Sequence, residues 1–243
     1  LSSVKSIFEA TQSWAAQRDL AMSAYHEIGS TNDEAKLGAS DLGDEPKLYL
    51  AGHQTKGRGR GTNSWLDTGA GESLLSSWSF HLPSAPQAIT GPRIGDALYR
   101  SAEAVWPTFD LSLKAPNDLY LGNRKIAGLL IETVSQGSFH RLIIGLGMNM
   151  LNHPRAIAHA THFISQSVDH GLGEDEWYQF LDVLLGQFKI ALHDVMLPAL
   201  STEVRTSLLK ALNAWPLKQE SFINLSPQGD LVTKSGTIPW TSQ

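Results

Sequence analysis

The sequence predicts an α+β fold, a mostly antiparallel or mixed sheet packed with helices and followed by a small β-rich tail. Two patterns lead there. Apolar runs at 48–53, 73–82, 111–114, 126–134 and 141–146 are bounded by glycine, proline, asparagine or serine, as strands joined by turns are. Helical spacing occurs around these runs but not between each successive pair, so repeated βαβ units are not indicated. The 243 residues, 42% hydrophobic and 18% charged, suffice for one large domain with a small appendage. The main domain is placed at 1–216 and a reduced β segment at 217–243.

From the N-terminus, Ile7, Phe8, Thr11, Trp14 and Ala15 share one helical face within 4–20. An extended piece near residue 26 precedes Ser30-Thr31-Asn32-Asp33. Here a side-chain oxygen can take the orphan N–H groups of a helix start, and an acid favours the first turn. Residues 40–46 form a polar turn ending at Pro46, and strands 48–53 and 73–82 flank a glycine-arginine loop. A helix is expected from about 94 to 106. Ala115-Pro116-Asn117-Asp118 reads as a turn, because proline biases the residue before it away from helix. Gly122-Asn123 suits a hairpin into 126–134, and Ser135-Gln136-Gly137-Ser138 closes another that returns through 141–146. Beyond Asn149, helices are expected at 154–165, 175–196 and 201–214, with Glu174, Asp175 and Glu176 supplying acid to the second. Short strands are expected at 221–225 and 231–233.

A formal net charge of -5 argues against a general nucleic-acid coat. No run of about 18 apolar residues offers a membrane span. Residues 1–20 are interrupted by Lys5, Glu9, Arg18 and Asp19, unlike a signal peptide, so a cytoplasmic location is expected. Without cysteine there are no thiolate metal sites and no cysteine nucleophile. His153, His159 and His162 cluster without the further spaced ligands that zinc needs, and no protein-held metal is expected.

Gly57-Arg58-Gly59-Arg60-Gly61 joins flexible backbone to fixed positive charge, which suits an anion such as a nucleotide or an acyl phosphate. A dinucleotide fingerprint does not fit, since position six is Thr62 and no amphipathic helix follows. No Gly-Lys-Ser or Gly-Lys-Thr is present for a P-loop. Lys125 stands where an apolar strand begins, and an ammonium there can offset charge developing as a carboxylate attacks a phosphate. Gly128, within a bulky strand, marks a close approach to backbone, and Gly145 and Gly147 on one face would leave a flat floor for a planar ligand. The plain alternatives are a solvated loop, a strand-end cation and a bulge.

Taken in order, four segments resemble the biotin protein ligases over about residues 26–150. They are Ser30-Thr31-Asn32; Gln54 with Gly57 through Trp65; Lys114 to Asp118 with Arg124-Lys125 to Gly128; and Gly145-Leu146-Gly147-Met148-Asn149. The resemblance implies activation of biotin by ATP to biotinyl-5′-AMP, release of pyrophosphate, and transfer of the biotinyl group to a lysine of a carboxylase carrier domain. It implies that Ser30, Thr31 and Gln54 serve the biotin ureido ring while Asn32 supports the helix start, since a buried urea needs donors and acceptors around it. Gly57, Arg58, Gly59 and Arg60 match the loop that orders over the adenylate, with Arg58 near the carboxylate and phosphate and Arg60 helping retain the intermediate. Trp65 would cover the ligand or stack on adenine. Lys125 matches the lysine at the reacting carboxylate, so Lys125 and Arg58 are the catalytic candidates, and Gly128, Gly145 and Gly147 line the biotin pocket. Asn117 and Asn149 are candidate nucleotide contacts, and Mg²⁺ is implied by the ATP phosphates.

Two departures stand out. Lys114 is usually followed by tryptophan in this family, and Ala115 leaves volume to be filled or a wider cavity, which keeps a lipoate or octanoate ligase as an alternative. The reduced tail keeps a non-catalytic biotin-binding or carrier-binding module as another. With 29 residues before Ser30 no helix-turn-helix is expected, hence no nucleic-acid partner, and no membrane partner either. A homodimer is the expectation drawn from relatives.

Overall fold

Residues 3–41, 43–69, 71–163, 171–193 and 197–242 are described by the computed structural model. Its main sheet contains β1 (Ala21–Ile28), β2 (Lys47–Gln54), β3 (Ser73–Leu82), β4 (Leu111–Lys114), β5 (Asp118–Leu121), β6 (Arg124–Gln136) and β7 (Phe139–Asn149), in the order β1-β2-β3-β7-β6-β5-β4. A smaller sheet joins β8 (Asn224–Leu225), β9 (Leu231–Val232) and β10 (Thr237–Ile238) in the order β10-β9-β8. The helices are α1 (Ile7–Gln17), α2 (Thr31–Leu37), α3 (Thr90–Val105), α4 (Glu174–His193) and α5 (Thr202–Ala214).

The α+β class is as predicted. β2–β3, β3–β7, β6–β7 and β4–β5 are antiparallel, whereas β1 and β2 run parallel. Their connection is α2, a crossover that lets the second strand restart in the same direction. The hairpin between β6 and β7 turns at Gly137, whose φ of 60 suits a residue without Cβ.

The helix expected at 154–165 does not form over 154–163; residues 164 and 165 lie outside the described set. Pro154 begins two successive turns, with Ile157 N donating to Pro154 O at 3.1 Å and Ala160 N to Ile157 O at 3.0 Å. These bonds span three residues rather than four. Asn149 then donates through Nδ2 to Thr161 O at 3.1 Å, drawing the chain back to the end of β7. The apparent periodicity of Ala156, Ile157 and Ala160 reflects these turns. The expected helix at 175–196 is α4, with residues 194–196 outside the described set.

The chain divides into two compact units, residues 1–85 with 126–181 and residues 86–125 with 182–243. In the first, α1 begins at Ser6, whose side chain accepts from Glu9 N, and buries Ile7, Phe8, Thr11, Trp14 and Ala15. Trp14 meets Trp78 of β3 edge to face, with ring centroids 5.9 Å apart. Arg141 of β7 is fully buried and holds the 43–45 turn by donating to Gly43 O at 2.7 Å and Glu45 O at 2.9 Å. In the second unit Asn213 of α5 bonds Phe222 in both directions, at 2.8 and 2.9 Å, and Trp240 Nε1 donates to Pro116 O at 3.0 Å. Those bonds fasten the tail to α5 and to the turn that holds the buried Ala115. No described helix is long and apolar enough to cross a membrane.

Replacing Trp14 by alanine removes a wholly buried ring and should cost about 3–5 kcal/mol, measured as a fall in the urea unfolding free energy.

Candidate functional site

The site starts at the first residues of α2. Ser30 occupies the N-cap position with extended backbone, but its side chain makes no capping bond. The capping expectation is therefore corrected: Thr31 N donates to Gln54 Oε1 at 2.8 Å, so the last residue of β2 satisfies the helix's first donor. Thr31 Oγ1 is 3.2 Å from the same oxygen. Ser77 of β3, fully buried, lies 2.8 Å from Thr31 Oγ1 and donates to Asn32 Oδ1. Asn32 Nδ2 in turn donates to Leu130 O at 3.2 Å and Glu132 Oε2 at 2.9 Å. Every polar atom of the Asn32 amide is thus engaged, and a short chain of side chains ties α2 to three strands.

The glycine-arginine loop is an ordered hairpin. Trp65 N donates to Gly57 O at 2.9 Å and Gly59 N to Asn63 O at 2.8 Å, with a bridge between Arg58 and Ser64. A Cβ on Gly57 would lie 2.4 Å from Trp65 O, so the two limbs meet only because Gly57 has none.

Opposite the loop, three glycines clear the sheet. Gly128 of β6 faces Gly147 of β7 in register, and Gly145 lies two residues away. The flat floor exists, but the protein's own side chains cover it. A Cβ on Gly145 would fall 2.3 Å from Asn32 Oδ1, and one on Gly147 2.4 Å from Trp65 Cε2. The remaining cavity, bounded by Ser30, Thr31, Asn32, Gln54, Arg58, Trp65, Gly128, Gly145 and Gly147 among others, is about 30 Å³. Such a space holds roughly two waters, so a larger ligand requires Trp65 to leave Gly147.

Arg58 closes the site through charge. Its guanidinium bonds Asp33 Oδ1 and, at 2.5 Å, Glu132 Oε1, while Lys36 Nζ reaches the same two carboxylates at 3.2 and 3.1 Å. Burial pushes the Glu132 carboxyl up, but hydrogen bonds from Asn32, Arg58 and Lys36 together outweigh it and hold the group below its ordinary 4.5. Asp33 is held below 3.8 in the same way: burial opposes and bonds from Arg58 and Lys36 prevail. The bond from Glu132 raises Arg58 in turn.

Nine of the sequence-predicted residues thus line one cavity, and Gly57, Gly59 and the exposed Arg60 belong to the loop that closes it. Asn149 is buried at the end of β7 with its amide on Thr161. Lys125 and Asn117 belong to the second unit, where the Lys125 ammonium lies 2.7 Å from Asp118 Oδ1 and Asn117 sits in the turn before β5. His153 and His162 stack with Nδ1 atoms 2.6 Å apart; burial and the neighbouring His153 lower His162. Among the described residues no group of three or more His, Asp or Glu is placed to hold a metal ion.

Sequence reasoning missed Ser77, Asp33, Lys36 and Glu132. The signals were a strand with buried serines at 73, 76, 77 and 79 between bulky residues, and one acid inside the apolar run of β6.

Two outcomes follow from this geometry. Both carboxyls are depressed, so their contribution is complete above their ordinary values and is lost as pH falls through the lowered ones. Glu132→Gln should therefore destabilise by about 1 kcal/mol at neutral pH, and the gap to the parent protein should close as pH falls through the lowered carboxyl value, read from urea curves across pH. Gly147→Ala should cost about 1–3 kcal/mol by driving its methyl into the Trp65 ring, and far less in a Trp65→Ala background, a coupling that a double-mutant cycle measures.

The family model described as the biotin/lipoate A/B protein ligase family matches residues 28–149. The chain is 33% identical over 127 residues to the bifunctional ligase/repressor BirA of Escherichia coli (strain K12), covering 51% of this chain and 38% of that protein. It is 32% identical over 167 residues to the biotin–acetyl-CoA-carboxylase ligase of Paracoccus denitrificans, covering 65% of this chain and 68% of that one. The biotin protein ligase from Aquifex aeolicus, solved in complex with biotin and ATP, superposes with a TM-score of 0.67 at 21% identity over 91% of this chain and 97% of that one. The Leishmania major ligase in complex with biotinyl-5-AMP gives 0.61 at 23%, over 92% and 99%. These two likenesses are of fold. The matched region spans about two-fifths of the E. coli protein's length. The chain belongs to the biotin/lipoate A/B protein ligase family.

Proposed function

We propose that this protein joins biotin to ATP, holds biotinyl-5′-AMP and passes the biotinyl group to a lysine of a carboxylase carrier domain. The observation that carries the proposal is the convergence of Thr31, Asn32, Gln54 and Arg58 on a patch of sheet bared by Gly128, Gly145 and Gly147. Such a slot offers amide and hydroxyl partners beside close-packed backbone, which suits a ring bearing a urea. In the first step a biotin carboxylate oxygen attacks the α-phosphorus of ATP, the new C–O–P link forms, and the bond to pyrophosphate breaks. In the second the lysine amine attacks the acyl carbon, the C–O bond breaks with its electrons leaving on AMP, and the amine loses a proton.

Arg58 and Lys125 are assigned to offset the charge of the first step. For that, Arg58 exchanges Asp33 and Glu132 for ligand oxygens, while Asp118 holds Lys125 in the meantime. Ser30, Thr31, Asn32 and Gln54 are assigned to the ureido end, and Gly57, Gly59, Arg60 and Trp65 to the cover over the adenylate, with Asn117 and Asn149 as nucleotide contacts. Mg²⁺ would arrive on the ATP phosphates as part of that substrate. Residues 1–216 form the catalytic part in this proposal and 217–243 a reduced β segment. A cytoplasmic location, a homodimer and the absence of a nucleic-acid partner go with it.

Incubation with biotin, ATP and magnesium should release pyrophosphate, and Arg58→Ala or Lys125→Ala should slow release by roughly ten- to a hundred-fold, the loss of one charged hydrogen bond. Parental rates in both variants would show these roles to be misplaced. Biotin binding without biotinyl-AMP formation, under conditions that support a control ligase, would leave a non-catalytic binding module.

A further inference from the structure

The loop that begins with Arg58 returns to the sheet through one buried carboxylate. Asp67, with a side chain only 1% exposed, accepts three donors: Gln54 N at 3.1 Å on Oδ2, and Gly69 N at 2.6 Å and His53 Nδ1 at 2.7 Å on Oδ1. Beside a carboxylate oxygen, Nδ1 of His53 is the protonated nitrogen. Gly69 has a φ of 71, which turns its N–H back toward the residue two before it. Just beyond, Gly71 N donates to Gly52 O at 3.2 Å and returns the chain onto β2.

Alternation along β2 sends the side chains of His53 and Gln54 to opposite faces. His53 lines a cleft of about 240 Å³ with Phe8, His26, Gly52 and Gly71, whereas Gln54 lines the α2 slot. Asp67 grips the backbone between them. One hydrogen-bonded path therefore runs from the Asp67 carboxylate through Gln54 to Thr31, then through Ser77, Asn32 and Glu132 to Arg58, near the other end of the same loop.

We infer that Asp67 is a positioning residue, which sets the Gln54 amide and the return limb of the Trp65 loop in one register for a ligand bearing a urea. Its ligand rests on the biotin-ligase proposal, and its geometry on the protein's own hydrogen bonds. Both carboxylate oxygens are needed. An asparagine keeps one acceptor and turns an NH₂ group toward a backbone N–H, so either Gln54 or Gly69 must shift.

The test uses the full chain carrying Asp67→Asn. Two readouts apply: steady-state pyrophosphate release at varied biotin and ATP, and amide hydrogen exchange of segments 52–56 and 65–69. The expected result is a KM for biotin raised roughly ten- to a hundred-fold, with kcat and the KM for ATP within about threefold, and faster exchange confined to those segments. An unchanged biotin KM with unchanged exchange overturns the inference. So does a joint collapse of all kinetic constants with faster exchange throughout the chain, which marks a general loosening. Should Asp67→Asn fail to fold, Asp67→Glu keeps both oxygens one methylene further out and should give an intermediate biotin KM. A parent protein that releases no pyrophosphate with biotin would end the functional proposal, and exchange at Gln54 would then decide the role of Asp67 alone.

Discussion

Everything at this site depends on how closely side chains can approach a bare stretch of sheet. Gly128, Gly145 and Gly147 remove three side chains from neighbouring positions of β6 and β7, and Asn32 and Trp65 settle into the space. That contact sets the depth of the slot, the position of α2 and the resting place of the arginine loop. A single methyl at 147 would collide with the Trp65 ring, and one at 145 would collide with a partner that has no room to withdraw without breaking other bonds. Asn32, for example, is fixed by Ser77, Leu130 and Glu132 at once. Such shared constraints make the polar wall specific, since no member can turn to another partner without leaving a buried group unpaired.

Charge supplies the second constraint. A cation is costly to bury alone, and here Asp33 and Glu132 hold Arg58 with Lys36 beside them. The balanced cluster keeps the loop shaped and the slot shut. In the proposed reaction an incoming carboxylate or phosphate would replace like with like, so exchange would conserve the charge pairing of Arg58 while freeing the two acids to Lys36 and water. Shutting is also steric, because the Trp65 ring occupies the floor on which a ligand would lie.

The strands were readable because their apolar runs end at turn formers, and β3 and β4 fall on the residues the pattern marks. The parallel pairing of β1 and β2 was not, since strand direction is set by where α2 packs and not by any local signal. Residues 154–163 misled because Ala156, Ile157 and Ala160 mimic a helical face, while a tertiary bond from Asn149 decides the path. At the site, residues with unusual local chemistry, the glycines, arginines and Gln54, could be picked out. Their holders, Ser77, Glu132 and Asp67, were not picked out, because a serine among bulky strand residues or an acid in an apolar run signals a buried partner without saying which distant residue it is. Ala115 left an open volume in the sequence, and the chain instead buries it in the turn that Trp240 fastens.

The central claim is that the slot between α2 and the bared sheet selects a urea-bearing ring and presents its carboxylate for activation. It is tested most directly by offering the protein ATP, magnesium and equal amounts of biotin and lipoate, then weighing the acyl adenylate that stays bound. The account predicts biotinyl-AMP as the dominant mass. Lipoyl-AMP in its place, or no acyl adenylate at all, would contradict it.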